Sequence, residues 1–168
     1  MKKKKPRKTC FLLGIYCTFL VWIILLKLSF SIADLKMLVG ERSVNFLPFY
    51  YANETDFHLN EMIMNVIIFI PIGIYLKMMD VDSKKAVLYG FVFCFGLELC
   101  QFVFKIGASD ITDLLTNTLG TAIGVSLYLL SGKVFKNRDK LDKVIQIMAL
   151  IATVLLGSLL LLLVLVNQ

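Results

Sequence analysis

A single histidine, His58, and four cysteines that never fall into Cys-x-x-Cys spacing leave this chain without the ligand pattern of a zinc site. The same scarcity removes Ser-His-Asp and Cys-His nucleophile arrangements, so any attacking group would be water, a substrate hydroxyl or a carboxylate. Cys10, Cys17, Cys94 and Cys100 all lie in apolar runs, where a free cysteine packs as a small apolar residue. Internal repeats and Ser- or Gly-rich linkers are also missing, which argues for one domain over 1–168.

Apolar sequence is abundant instead: 58% of the 168 residues are hydrophobic and the mean hydropathy is +0.81. Five stretches, about 10–31, 61–79, 86–104, 111–131 and 144–166, approach the roughly 20 residues that a membrane-spanning helix needs. The runs are continuous rather than alternating, which favours helices over a β-barrel and predicts an all-α polytopic bundle of five transmembrane helices.

Basic residues outnumber acidic ones, 18 to 12, and most of them are grouped. They fill the tail before the first run (Lys2 to Lys5, Arg7, Lys8), the turn at Lys77, Lys84 and Lys85, and the segment from Lys133 to Lys143. Positive charge concentrated in alternate loops predicts a cytoplasmic N-terminus and an outer C-terminus, and it accounts for the net charge without nucleic-acid binding. Ser31-Ile32-Ala33 looks like a signal-peptidase site, yet the uncharged run from Cys10 to Leu26 exceeds the usual apolar region of a signal peptide, roughly 7–15 residues. The first run is therefore expected to be retained.

Against this background the polar residues stand out. Glu98 and Gln101 are three apart on the third predicted helix, and Asp110, Asp113 and Asn117 follow at i, i+3 and i+7 on the fourth. At about 1.5 Å per residue, Glu98 lies roughly 18 Å up the third span, and Asn117 about 9 Å, Asn65 about 6 Å and Lys27 about 6 Å below the outer surface. All fall in the outer half. A carboxylate facing lipid at mid-span costs about 2.5–3.5 kcal/mol, so the stripes are expected to line a shared outward-opening cavity.

The outer loop brings Arg42, Asn45, Phe46, Phe49, Tyr50 and Tyr51 to the same side. Arg42 has the fork geometry of a phosphate clamp, while the rings suit an interfacial belt. Pro71 predicts a kink in the second helix, Gly120 and Gly124 a close helix contact, and Ser109 or Asp110 a cap on the fourth helix after a turn at Gly107. A purely structural role is open to the same residues: Lys27 is placed to snorkel, Glu98 to pair with a cation, and the Asp and Asn side chains to cross-link helices.

Several blocks together resemble the VanZ-like family of membrane proteins. They are Trp22 to Leu28; Arg42-Ser43-Val44-Asn45-Phe46-Leu47-Pro48-Phe49; Glu61 to Asn65 with Pro71-Ile72-Gly73; Glu98-Leu99-Cys100-Gln101; and, most specific, Ile106-Gly107-Ala108-Ser109-Asp110-Ile111-Thr112-Asp113-Leu114-Leu115-Thr116-Asn117 with Gly120. The resemblance implies a Gram-positive plasma-membrane protein associated with low-level resistance to teicoplanin-type glycopeptides, which carry a lipid tail. It implies no mechanism and names no cofactor.

Three roles are consistent with the residues. As an enzyme, the cavity would process the phosphate-bearing head of a membrane lipid or lipid-linked wall precursor. Glu98, Asp110 and Asp113 would act as acid, base or ligands of a hard cation, and Lys27, Arg42, Asn45, Asn65, Gln101, Ser109 and Asn117 would hold substrate. As a binding protein, it would occupy a lipid head group or the antibiotic's anchor without turnover. As an accessory subunit, it would dock against a wall-synthesis enzyme.

Overall fold

The computed structural model describes residues 7–25, 43–49, 56–106, 108–135 and 137–166. Among these, five helices and two short strands follow in the order α1 (Arg7–Leu25), β1 (Ser43–Asn45), α2 (Asp56–Met78), α3 (Ser83–Phe104), β2 (Ala108–Asp110), α4 (Ile111–Val134) and α5 (Arg138–Val166). The first four helices are long and apolar enough to cross a membrane: Arg7–Leu25, Leu59–Met78, Ser83–Phe104 and Ile111–Val134. The fifth helix contains the last expected span, 144–166, and begins six residues before it at Arg138.

The purely helical expectation needs one correction. Ser43, Val44 and Asn45 pair in parallel with Ala108, Ser109 and Asp110, joining the segment before α2 to the one before α4. Three-residue strands carry no readable period, and their pairing depends on two helices folding between them. The pairing occupies their facing backbone groups, which otherwise would need water or side chains.

Local chemistry explains the turns. Asp82 caps α3, accepting from the backbone N–H groups of Lys84 at 3.0 Å and Lys85 at 3.4 Å. These bonds hold its carboxyl below the ordinary carboxylate range, Lys85 contributing most. Before it, Asp80 takes a left-handed conformation (φ 58°) and Lys77 Nζ donates to the Val81 carbonyl at 2.9 Å, closing the turn between α2 and α3. Asn137 accepts from Asp139 and Lys140 N–H groups at the start of α5. Arg138 pairs with Asp80 at 3.6 Å and lies over the Tyr128 ring, whose hydroxyl donates to Asp142 at 2.6 Å.

Helices α2 and α4 approach most closely. A Cβ added at Gly73 would meet the Thr121 carbonyl oxygen, one at Gly120 the Val66 carbonyl, and one at Gly124 the Ile70 carbonyl. The expected contact at Gly120 and Gly124 is present, with Gly73 as its third member, and it suits the Cα–H···O contacts found where helix backbones touch. Because 66 faces 120 and 70 faces 124, the two helices run in the same direction. Helix α3 runs against α4, since Cys94 bonds Asn117 while Glu98 reaches back to Asp110.

Pro71 lies within α2, which continues through it. One residue beyond the Ile67 carbonyl that Pro71 leaves without its usual donor, the Ile68 carbonyl accepts from the Tyr16 hydroxyl of α1 at 2.6 Å. Packing forms two clusters: Leu20, Phe69, Cys94 and Leu97 belong to the first, while Leu12, Tyr75, Tyr128 and Leu141 gather near the basic turns.

Candidate functional site

The site is built where β2 turns into α4. Asp110 ends β2 in an extended conformation (φ −123°, ψ 128°) and caps α4, its Oδ1 accepting from Thr112 N at 2.7 Å. This fulfils the expected cap and corrects the expected stripe: Asp110 precedes the helix, so it does not share a helical face with Asp113 and Asn117. Its Oδ2 accepts from Asn45 Nδ2 at 3.0 Å, and Asn45 Oδ1 in turn accepts from Leu47 N at 3.1 Å. Phe49 N, in a left-handed residue (φ 59°), donates to Thr112 Oγ1 at 3.1 Å and ties the end of the β1 segment to α4.

Glu98 approaches from α3. It is 8% exposed, and its Oε2 accepts from the backbone N–H of Asp110 at 3.1 Å. Ser109, also buried, donates from Oγ to the Glu98 carbonyl at 2.8 Å, so both side chain and backbone of Glu98 hold the β2 segment. Asp113 turns toward α2, where Asn65 Nδ2 donates to its Oδ1 at 2.8 Å. Asn45, Asp110, Glu98 and Ser109 thus form one hydrogen-bonded group drawn from both strands and α3, and Asn65 with Asp113 forms a separate pair between α2 and α4.

Two expected members face elsewhere. Gln101 Nε2 donates to the Ile24 carbonyl of α1 at 3.4 Å rather than to α4. Three residues advance a helix by 300°, leaving Gln101 about 60° from Glu98, which is enough to present it to a different neighbour. Asn117, 2% exposed, donates from Nδ2 to Cys94 Sγ at 3.1 Å, deeper between α3 and α4. The remaining oxygens, Gln101 Oε1 and Asn117 Oδ1, are buried without a hydrogen-bond partner among the described residues. Lys27, Arg42, Tyr50 and Tyr51 lie outside the described residues.

Sequence reasoning assigned Cys94 to packing and passed over Thr112. Cys94 is indeed fully buried, but it also accepts from Asn117 and its thiol lies 3.9 Å from the Asp113 carbonyl. Thr112 is the acceptor that fixes Phe49. A threonine two positions after a capping aspartate was the available signal for the first-turn role, but its partner is remote in sequence.

Beside the Glu98 group lies a recess of about 250 Å³ lined by Val44, Asn45, Phe95, Glu98, Asp110 and Leu114, with Phe46 at its edge. Phe46 is 75% exposed. Among the described residues, no three His, Cys, Asp or Glu side chains converge in a way that would hold a metal ion. The surface of the recess is almost wholly apolar, with room for a chain, and the Glu98 and Asp110 carboxyls and the Asn45 amide are the hydrogen-bonding groups among its walls.

Residues 13–135 match the VanZ/LLP1 family profile. A curated relative, Protein VanZ of Enterococcus faecium, is 40% identical over 147 residues, which cover 86% of this chain and 88% of that protein. No solved structure gives a significant match.

Proposed function

This chain belongs to the VanZ/LLP1 family, and from that premise we propose that it confers low-level resistance to teicoplanin-type lipoglycopeptides from the plasma membrane. In this reading it is a multi-pass protein with its N-terminus inside and C-terminus outside, and the recess beside Glu98 opens outward. The occupant is the phosphate-bearing head of a membrane lipid or lipid-linked wall precursor. Glu98 exchanges protons with it, Asp110 and Asn45 set its position, and Asn65 holds Asp113 toward α2 outside the lining.

The observation that carries the reading is the environment of Glu98. A carboxyl that is 8% exposed costs several kcal/mol to hold in an apolar bundle as a charge. Here one oxygen is engaged by the Asp110 N–H and the side chain borders a recess. A residue serving only to link α3 to β2 has cheaper alternatives, since a glutamine accepts the same bond without a charge.

A second reading, binding without turnover, is favoured by Phe46, which lines the recess and is 75% exposed, and by the exposed Leu47 and Phe49 that follow it in sequence. In that case the protein holds a lipid head, or the antibiotic's own anchor, and hinders productive insertion of the drug.

Expression of wild type and of Glu98→Gln at matched membrane levels, with teicoplanin susceptibility and a mass-spectrometric lipid and precursor profile, tests both. Head-group processing predicts resistance together with new or depleted lipid species, both abolished by Glu98→Gln. Binding predicts resistance with an unchanged profile and less labelled teicoplanin retained at the membrane. Full resistance in Glu98→Gln removes the recess from the mechanism.

A further inference from the structure

Far from the recess at Glu98, a larger cavity of about 590 Å³ runs between α1 and α5. We infer that this groove is a binding site for one anionic phospholipid, with an acyl chain along its walls and the phosphate between Lys8 and Lys143.

The walls are Phe11, Leu12 and Ile15 of α1 and Ile147 and Leu150 of α5. Phe11, Ile147 and Leu150 are more than half exposed at 69%, 59% and 55%. Lys8 and Lys143 also line the groove, and neither makes an ion pair among the described residues. Lys8 directly follows the first residue of α1, Arg7, and Lys143 lies about a turn and a half into α5, which begins at Arg138, so the two cations share one end of the trough. That end attracts an anion through the two ammonium charges.

The groove is held rather than incidental. Gln146 Nε2 donates to Thr9 Oγ1 at 2.9 Å, and Thr9 is fully buried, fixing the spacing of α1 and α5 beside the lysines. Its length also suits one leaflet. From Lys8 to Ile15 is about 10 Å of helix and from Lys143 to Thr153 about 15 Å, close to half of a hydrocarbon core roughly 30 Å thick. Free phosphate has no use for such walls, and in a zwitterionic lipid the head-group cation offsets the phosphate that the two lysines would hold.

Native mass spectrometry of the full chain in detergent, with phosphatidylglycerol or phosphatidylcholine of identical acyl chains, tests the site. Wild type is expected to retain one phosphatidylglycerol, on the order of tenfold more than phosphatidylcholine given two lysine contacts. Lys8→Ala/Lys143→Ala should bring phosphatidylglycerol down to the phosphatidylcholine level, while Lys84→Ala/Lys85→Ala, an equal loss of charge on α3, should leave it retained. Ile147→Trp should displace the lipid with both lysines intact. Equal retention of the two lipids by wild type, equal loss in both lysine pairs, or undiminished retention in either groove variant overturns the assignment.

Discussion

Asn45 and Asp110, 65 positions apart, are opposite one another in the parallel strand pair and are joined again through their side chains, Asn45 Nδ2 to Asp110 Oδ2 at 3.0 Å. Asp110 also caps α4 and gives its own N–H to Glu98. One residue therefore connects the segment before α2, the start of α4 and the buried carboxyl of α3.

That convergence predicts energetic coupling. Asp110→Ala removes a cap worth about 1 kcal/mol and also orphans the Asn45 amide; Asn45→Ala leaves the cap and removes the bond to Asp110 together with the one accepted from Leu47 N. A double-mutant cycle read by denaturation in detergent should give a coupling of about 0.5–3 kcal/mol. Strict additivity would show that the side-chain bond adds nothing to the strand pair.

The contact between α2 and α4 predicts intolerance at Gly73. A Cβ there meets the backbone of Thr121 and Val125, which has no rotamer to move, so Gly73→Ala must separate the helices. Overpacking of this kind costs about 1–3 kcal/mol, and the melting temperature and membrane yield should both fall. Gly14→Ala, with open space around the new carbon, should hold or raise the melting temperature. Similar behaviour of the two variants would remove the close contact from the account of the fold.

Asp82 supplies a pH dependence outside the apolar helical spans. Its folded carboxyl is held below the ordinary range by the backbone N–H of Lys85, then Lys84, so the charge-dependent part of its cap is present above the unfolded pKa, near 3.9. It is lost as the pH falls through the lower folded value. The stability difference between wild type and Asp82→Asn should be constant at neutral pH and should narrow only below about pH 4. A difference that narrows between pH 6 and 8 would point to another group.

Several residues of the candidate site were legible because a polar or ionisable side chain inside an apolar run is conspicuous: Glu98, Asp113 and Asn65 needed no structure to be noticed, and a cap at Ser109 or Asp110 followed from their place before α4. What was hidden depends on contacts remote in sequence. Three-residue strands have no periodicity, so the link from Ser43–Asn45 to Ala108–Asp110 could not be read. Helical spacing grouped Gln101 with Glu98, yet 60° of rotation gives one to α1 and the other to β2. Cys94 reads as packing until Asn117 is seen beside it.

Asn117 and Gln101 offer the sharpest separation of structure from function. Each buried amide uses its NH₂ group and leaves its oxygen without a partner among the described residues. If their role is only to bind helices, the half-satisfied amide is a poor choice, because a buried polar group without a partner costs about 1–3 kcal/mol while an apolar residue of similar shape is close to neutral. A substrate role for the oxygen predicts that Asn117→Leu keeps its unfolding free energy within about 1 kcal/mol of wild type while lowering teicoplanin resistance. Gln101→Leu, which faces α1, should keep more resistance than Asn117→Leu, which lies nearer Asp113. Stable variants with full resistance would assign both amides to packing; loss of folding in Asn117→Leu would show that its bond to Cys94 carries the α3–α4 contact.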